Sequence, residues 1–391
     1  MSNVYKSMGV DAFKSSIKFF EGLIVKSFPY AFTNVLKLKD GRCVSLHVDG
    51  AGSKPIIAYL AYKEFGDSRF FEGLAQDVLA MNLDDIVTVG IRPLLFVDYI
   101  ALNPFKLERD VVIKSIGLGF NKTLDLLLKI SMFSNAFSPI FIGGETADMP
   151  DQLRTIDVAG AVYGECDCNM IIDGSNIVDG DVILGLSSFG RAKYESNVNS
   201  GIMCNGLTLA RHILLNSYYG SKYPETFDYE NKFSYLGPYK LDSYVDELDS
   251  TIMDALSSPT RIYTPIIAEA LHKYGCFIHG MAHITGGGLS KILKVGFNID
   301  YIINSLPDPP PIFKLIQRIG KIDLREMYSV FNMGIGFVMI VDVEVVDEII
   351  KLCENYGVET FRLGEIKRNS DGVNRLIVKC RNIKFEFSRV V

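Results

Sequence analysis

The chain has 391 residues and, with 40 basic against 46 acidic side chains, a formal net charge of −6. Hydrophobic residues make up 48% and charged residues 22%, a composition that excludes disordered and collagen-like chains and predicts two or three domains. The mild acidity speaks against nucleic acid or anionic lipid as partner, so any phosphate is to be bound locally, through backbone amides, a metal ion and a few placed cations.

The first residues, MSNVYKSMGVDAFKSS, lack the apolar core of a secretory signal. Alternation through Val44, Leu46 and Val48 predicts a strand ending at Asp49, which opens the run Asp49-Gly50-Ala51-Gly52-Ser53-Lys54. Its glycines let backbone amides approach a ligand, Asp49 offers oxygen to Mg²⁺, and Lys54 can neutralise phosphate. A capped glycine-rich turn explains the same residues equally well, and the spacing is not that of a P-loop. Next, Asp77, Asp84 and Asp85 fall near one helical face among Val78, Leu79, Met81, Ile86 and Val87. Clustered carboxylates beside apolar neighbours call for a cation, which favours a divalent-metal site over a solvated face. The longest apolar stretch, Ile86 to Leu102, carries Arg92, Pro93 and Asp98, which excludes a membrane span.

A helix is predicted through Val112, Ile116, Phe120, Leu124 and Leu128, then a short buried strand over Pro139–Ile142. That strand runs into Gly143-Gly144-Glu145-Thr146, read as a glycine-loosened turn presenting another candidate metal ligand. A strand over Asp157–Gly164 and a polar stretch follow, with a domain boundary expected near residue 172. The expected domains are therefore 1–172 and 173–391. In the second half, Asp181–Leu186 reads as a strand, and Asn216–Ser250 holds seven tyrosines between Tyr218 and Tyr244. That segment reads as a surface insertion or partner-contact flap.

His283-Ile284-Thr285-Gly286-Gly287-Gly288-Leu289 precedes a helix predicted from Ser290, whose free N–H groups suit an anion, although a ligand-free flexible loop is the alternative. His283 reads as a structural hydrogen-bonding residue rather than a general base. Pro307 and Pro309–Pro311 impose extended backbone before a strand at Ile335–Val341 and a helix from Val345 that stops at Gly357. The seven cysteines are odd in number and scattered, the closest being Cys166 and Cys168, and read as reduced thiols of a cytoplasmic protein. Strands alternate with helices in both halves, so the fold class is α+β or α/β layered. Acids and glycine loops together imply ATP-dependent chemistry on a phosphorylated small molecule.

The same residues carry a resemblance more specific than any single motif. D-G-x-G-x-K at Asp49–Lys54, A-M-x-x-x-D at Ala80–Asp85, P-L-x-F-x-D-Y at Pro93–Tyr99 and G-G-E-T-A-x-M-P at Gly143–Pro150 occur in order after Gly9-Val10-Asp11. P-T-R-I-Y at Pro259–Tyr263, A-H-I-T-G-G-G-L at Ala282–Leu289, Glu326-Met327 and F-N-M-G-I-G at Phe331–Gly336 complete the series. The chain thus resembles the phosphoribosylformylglycinamidine cyclo-ligase (aminoimidazole ribonucleotide synthetase) family over nearly its whole length. It departs where the family's S-G-x-H-S-N-G turn becomes a longer run from Ser188-Phe189-Gly190 to Cys204-Asn205-Gly206, without the histidine. It departs again at 216–250, which has no counterpart in the common bacterial form, and both features suggest a divergent, archaeal-type branch.

The resemblance implies a two-domain fold, with an N-terminal sheet pairing into a barrel at a homodimer interface and a C-terminal sheet covered by helices. It implies ATP and Mg²⁺ as cofactors and formylglycinamidine ribonucleotide as substrate. ATP phosphorylates the formyl amide oxygen, the amidine nitrogen attacks that carbon, and phosphate leaves as the imidazole ring closes. On this reading Asp49, Asp77, Asp85 and Glu145 hold Mg²⁺, with Asp85 and Lys54 central to catalysis. Asp49, Gly50, Gly52, Ser53, Lys54, Gly143, Gly144 and Thr146 hold the nucleotide, while Asn205, Gly206, Thr285, Gly286, Gly287 and Gly288 meet the substrate. The alternatives are a non-catalytic ATP-binding dimer of the same superfamily, regulatory or scaffold, or another ATP-dependent phosphotransferase of that superfamily.

Overall fold

The computed structural model describes residues 4–10, 19–20, 22–134, 137–232, 234–380 and 383–390, so Asp11 of the G-V-D motif lies outside the described residues. After a one-turn helix, α1 (Val4–Ser7), the first half contains β1 (Leu36–Lys37), β2 (Arg42–Gly50), α2 (Pro55–Phe65), α3 (Arg69–Val87) and β3 (Arg92–Leu102). It continues with α4 (Arg109–Ser134), β4 (Ile140–Asp148) and β5 (Ile156–Asp167). These strands form one five-stranded sheet in the order β1-β2-β5-β3-β4. Helices α2 and α3 pack on one face of it. The opposite face is open, and among the described residues Leu46 (73%), Val48 (71%), Ile140 (66%) and Ile142 (57%) stand exposed there.

Two expectations change at β4. The apolar run Pro139–Ile142 is not a buried strand but the start of an edge strand, because its pattern answers to the uncovered sheet face. Gly143 to Thr146 is not a turn either. The strand continues to Asp148 across a register shift, and Gly143, at φ 128°, supplies the irregularity.

The second half contains β6 (Val182–Ser187), the short pair β7 (Phe189–Gly190) and β8 (Asn199–Ser200), α5 (Leu207–Leu214), α6 (Ser217–Lys222), and a second short pair, β9 (Tyr244–Val245) with β10 (Ser250–Thr251). Then follow α7 (Ile252–Ser257), α8 (Thr264–Tyr274), β11 (Ile278–His283), β12 (Ile299–Ile303), α9 (Pro311–Gly320) and α10 (Leu324–Val330). The chain ends with β13 (Ile335–Val341), α11 (Val346–Asn355), β14 (Thr360–Arg368), β15 (Val373–Cys380) and β16 (Ile383–Val390). A seven-stranded sheet has the order β11-β13-β6-β14-β12-β15-β16. Strands β6 and β13 are apolar without alternation because both faces are covered. Leu184, Leu186, Phe337 and Met339 pack with residues of α8 and α11, while Ile183, Val338 and Ile340 join the larger core. The predicted helix from Ser290 is a seven-residue 3₁₀ segment, Gly288–Lys294.

The tyrosine-rich segment is a packed wall rather than a flap. Tyr219, Tyr223 and Tyr235 are buried, and Tyr218 and Lys222 both reach Glu64 on α2. The thiol expectation also changes. Cys43 on β2 and Cys168 form a disulfide across a sequence separation of 125, because the turn after β5 returns to within 5.0 Å of Cys43 Cα to Cα, and the other five cysteines are free. No helix among the described residues is long and apolar enough to cross a membrane.

Candidate active site

The two sheets meet along α3, and the acids of that helix make the junction. Asp77 and Asp84 are seven residues apart, two helical turns, so they share a face. That face meets the P-T-R-I-Y segment. Asp77 Oδ1 accepts from the Thr260 amide and hydroxyl, each at 2.7 Å. Asp84 accepts from the amides of Tyr263 and Thr264 at 2.9 and 2.7 Å and from the Thr264 hydroxyl at 2.8 Å, binding the open end of α8. Burial pushes Asp84 up to about 6, against the pull of His283 and these donors.

Lys54, at the end of the glycine run, is buried with Asp77. Its Nζ donates to Asp77 Oδ1 at 2.8 Å and to the Ser258 carbonyl at 2.7 Å. The expected phosphate cation and the expected metal ligand therefore hold each other, since a carboxylate and an ammonium removed from water need a partner at contact distance.

Asp85 turns the other way, between the two sheets. His47 of β2 approaches Asp85 Oδ2 at 3.2 Å, and His283 of β11 approaches Oδ1 at 2.8 Å. Burial raises the Asp85 carboxyl, but Lys291 and the two imidazoles outweigh it and hold it well below the usual carboxylate range. Burial alone would lower His47, yet its bond to Asp85 and the charge of Asp49 leave it raised. His283, wholly buried, is held by that carboxylate contact, and its Nε2 has no hydrogen-bond partner.

The glycine loops converge beside this cluster. A Cβ on Gly52 would meet the Cys204 carbonyl at 3.2 Å, and one on Gly286 would meet Asn205 Oδ1 at 2.9 Å. Ser53 accepts from Thr208 at 3.0 Å, just inside α5, while Lys291 donates to Thr285. Gly206 (φ 73°), Gly287 (φ 96°) and Gly288 (φ 55°) adopt the left-handed backbone that glycine tolerates. The Asn205 amide nitrogen is buried without a partner. The structure thus brings Asp49–Lys54, Asn205–Gly206 and Thr285–Gly288 together.

The proposed metal set is not brought together. Register places Asp49 (β2), Gly160 (β5), Asp98 (β3) and Gly144 (β4) in one row across the sheet. A Cβ on Gly160 would strike Phe96 and Val78, so this row faces the helices. Glu145 pairs with Tyr99 in the next row and stands exposed on the other face. Asp77 Oδ1 and both Asp85 oxygens have partners, while Asp77 Oδ2 is buried without one, and among the described residues no three His, Cys, Asp or Glu side chains are grouped to hold one ion. Gly144 is required for a different reason, since a Cβ there would overlap the Asp98 carboxylate. Thr146, one residue past Glu145, pairs with Ile100.

Sequence reasoning passed over His47, Thr260, Thr264 and Lys291. His47 had a signal, since it alternates with Ser45 and Asp49 on the inward face of β2. Between Ser188 and Asn205 the chain forms the β7–β8 hairpin. Arg261 binds it through the Phe189 and Gly190 carbonyls and through Glu195 at 2.7 Å.

Comparison with known proteins identifies the family and the fold. Residues 32–166 match the N-terminal domain model, and residues 178–375 the C-terminal domain model, of AIR synthase related proteins. The phosphoribosylformylglycinamidine cyclo-ligase of Methanocaldococcus jannaschii is 32% identical over 88% of this chain and 84% of its own length. In fold, the chain is similar to phosphoribosylformylglycinamidine synthase II from Thermotoga maritima, with TM-score 0.55 and 14% identity over 98% of this chain and 50% of that one. It is also similar in fold to thiamine-monophosphate kinase from Stenotrophomonas maltophilia, with TM-score 0.51 and 14% identity over 88% of each chain.

Proposed function

The chain belongs to the phosphoribosylformylglycinamidine cyclo-ligase family, and from that premise we propose how its residues divide the work of an ATP-dependent ligase in purine biosynthesis. The substrate is formylglycinamidine ribonucleotide. Its formyl amide oxygen takes the γ-phosphoryl group of ATP, the neighbouring amidine nitrogen attacks the activated carbon, and phosphate departs as the imidazole ring closes. ADP, phosphate and aminoimidazole ribonucleotide are the products.

The observation that carries this reading is the meeting of three glycine-bearing loops at the domain junction. Their close approaches at Gly52–Cys204 and Gly286–Asn205 leave backbone amides and few side chains around one locus. Asp49–Ser53 and Gly143–Thr146 are assigned to ATP, and Asn205, Gly206 and Thr285–Gly288 to the substrate. The buried Asn205 amide is a donor suited to a substrate oxygen. Lys54 acts as a positioning residue, fixing the nucleotide loop to α3 through Asp77. Asp85, His47 and His283 form a charged cluster that sets the two domains around the loops.

Mg²⁺ supplies charge neutralisation at the phosphates in reactions of this type. The four carboxylates do not fit a shared ion as they stand, because Asp85 is engaged through both oxygens, Asp77 keeps only Oδ2 free in a buried place beside Lys54, and Glu145 lies on the far sheet face. Asp49, half-buried at the mouth of the glycine loop, is the member suited to an ion carried in by ATP. The open apolar face of the first sheet is assigned to a second copy of the chain, closing the barrel as a homodimer. We place the enzyme in the cytoplasm on its family's pathway, while the Cys43–Cys168 bond is unusual for a reducing compartment.

The test is a product assay. Purified protein should release ADP and phosphate only when formylglycinamidine ribonucleotide is supplied, with aminoimidazole ribonucleotide appearing in equal amount. ATP binding without turnover would favour a non-catalytic member of the superfamily.

A further inference from the structure

Among the described residues of the second half two arginines are buried, and their surroundings differ. Arg261 has Glu195 as counter-ion and three carbonyls as further acceptors. Arg211, on α5 and 3% exposed, has neither: its Nε and Nη1 lack any hydrogen-bond partner. Its Nη2 lies 3.1 Å from Nε2 of His212. That imidazole is held neutral, lowered to about 3 by burial and by Arg211 itself, so it has one acceptor nitrogen. The Tyr235 amide points at Nδ1 from 3.2 Å and takes that acceptor, which leaves Nε2–H facing the guanidinium. The cation then has the face of the Tyr235 ring, 5.8 Å from its centre, and no oxygen. An isolated buried charge costs several kcal/mol unless something compensates it.

Arg211 lines a cavity of about 400 Å³. One wall comes from the first domain, with Arg154 before β5 and Ile56 on α2. Another is α5 itself, with Thr208, and the third is the tyrosine-rich segment. Two acids of that segment reach the cavity, but both are engaged. Glu225 accepts from the Tyr59 hydroxyl and lies 4.0 Å from Lys106, and Asp228 pairs with Arg154 at 2.9 Å. The charge left without an opposite is therefore the positive one.

We infer that this cavity is an anion site in which Arg211 receives the phosphate monoester of a small molecule. The volume is far more than a lone anion needs, and Ile56 and Phe227 offer the rest of the ligand an apolar surface. The two acids in the wall disfavour a polyphosphate and suit a single phosphate on a compact, sugar-sized body. Thr208 joins this cavity to the nucleotide loop through Ser53, so the phosphate belongs either to the enzyme's own substrate or to a separate phosphorylated ligand seated behind that loop. The inference stands on Arg211 and the cavity, and holds whether or not the chain turns over formylglycinamidine ribonucleotide.

Titration calorimetry on the full chain, with ribose 5-phosphate and inorganic phosphate as probes and ribose as control, tests it. Saturable binding of ribose 5-phosphate but not ribose is expected, weakened about tenfold or more in Arg211→Met, as loss of a charged hydrogen bond implies. Binding equal in wild type and Arg211→Met overturns the site, as does no binding by the folded wild type. Should Arg211→Met fail to fold, Phe227→Trp serves instead. The chain contains no tryptophan, so one emitter reports the cavity. A saturable change in emission with ribose 5-phosphate supports the site and a flat titration overturns it. Displacement of ribose 5-phosphate by formylglycinamidine ribonucleotide identifies the substrate's phosphate as the occupant, and simultaneous binding identifies a separate ligand.

Discussion

Lys54 Nζ donates to Asp77 Oδ1 at 2.8 Å where the two residues are 1% and 0% exposed. This contact ties the end of the D-G-A-G-S-K loop to the middle of α3. Because Asp77 also accepts from Thr260 and Lys54 donates to the Ser258 carbonyl, the same four groups tie both to the second domain. The loop assigned to ATP is thereby anchored at the seam between domains, and a movement of one domain on the other would be felt at the loop.

Removing one partner of such a pair leaves the other charged and buried. Lys54→Met is expected to destabilise the protein by roughly 3–5 kcal/mol. Asp77→Asn keeps an acceptor for Thr260 but no charge, so the double variant Lys54→Met/Asp77→Asn should recover part of that loss. Calorimetric melting of both singles and the double measures the coupling. Additive losses would mean that the pair is not a unit.

Asp84 binds the first turn of α8 through three donors, two of them amides that no helical carbonyl can satisfy. Asp84→Ala should cost about 2–4 kcal/mol, as loss of a cap plus buried donors left unmet. The local signature is hydrogen exchange. The amides of Tyr263 and Thr264 should lose protection first, while those of β13 keep theirs. Unchanged protection at 263 and 264 would show that the cap does not hold α8.

Much of this was legible in the sequence, and the misreadings have a common cause. Ile335–Val341 and Val44–Val48 declared themselves because their patterns answer to local cover. The acidic cluster of α3, with its apolar neighbours, reads in the sequence as a divalent-metal site. Its partners, however, are Lys54 and the backbone of 260–264, more than 170 residues away for Asp77 and Asp84 in the second case, which no spacing rule reaches. Glu145 is grouped with Asp49 by the family resemblance, not by spacing. Pairing decides which sheet face each side chain takes, and one register shift at Gly143 puts Glu145 opposite. The apolar run at Ile140–Ile142 reads as buried because a sequence cannot separate a covered sheet face from an exposed one.

Asp85 joins one histidine from each sheet, and its two oxygens are both engaged. Asp85→Asn keeps the size and one acceptor but removes the charge that sustains the raised His47. Turnover should fall by about a hundredfold or more, as for loss of a preorganised charge, with melting changed by only a few degrees. Wild-type-like activity in that variant would remove Asp85 from the functional set.

The uncovered sheet face predicts an assembly. Leu46 and Val48 on β2, with Ile140 and Ile142 on β4, present apolar side chains to solvent across one sheet. Val48→Asp places a charge that a second copy would have to bury, so light scattering behind size exclusion should move from twice the chain mass towards 43.5 kDa. Since Val48 makes no core contact in the single chain, the melting temperature at low concentration should hardly move. A wild type that runs as one copy at micromolar concentration removes the barrel dimer.

The last prediction concerns pH and lies away from the loops. His279 on β11 meets Asp181 Oδ2 at 2.7 Å at the start of β6, and Asp342 adds a second negative charge nearby. The Asp181 bond raises the His279 pKa above its ordinary value, against the effect of burial. A histidine raised on folding binds its proton more tightly in the native state. Its contribution is therefore fully present below the unfolded pKa of about 6.5 and fades as pH rises through the higher folded value. His279→Gln should lower the melting temperature more at pH 6 than at pH 9, by an amount equivalent to no more than about 1 kcal/mol given residual solvent screening. Asp181→Asn should remove the pH dependence of that difference, because the imidazole then has no adjacent carboxylate to favour its charged form. A deficit in His279→Gln that is constant from pH 6 to pH 9 would assign the contact to packing rather than charge.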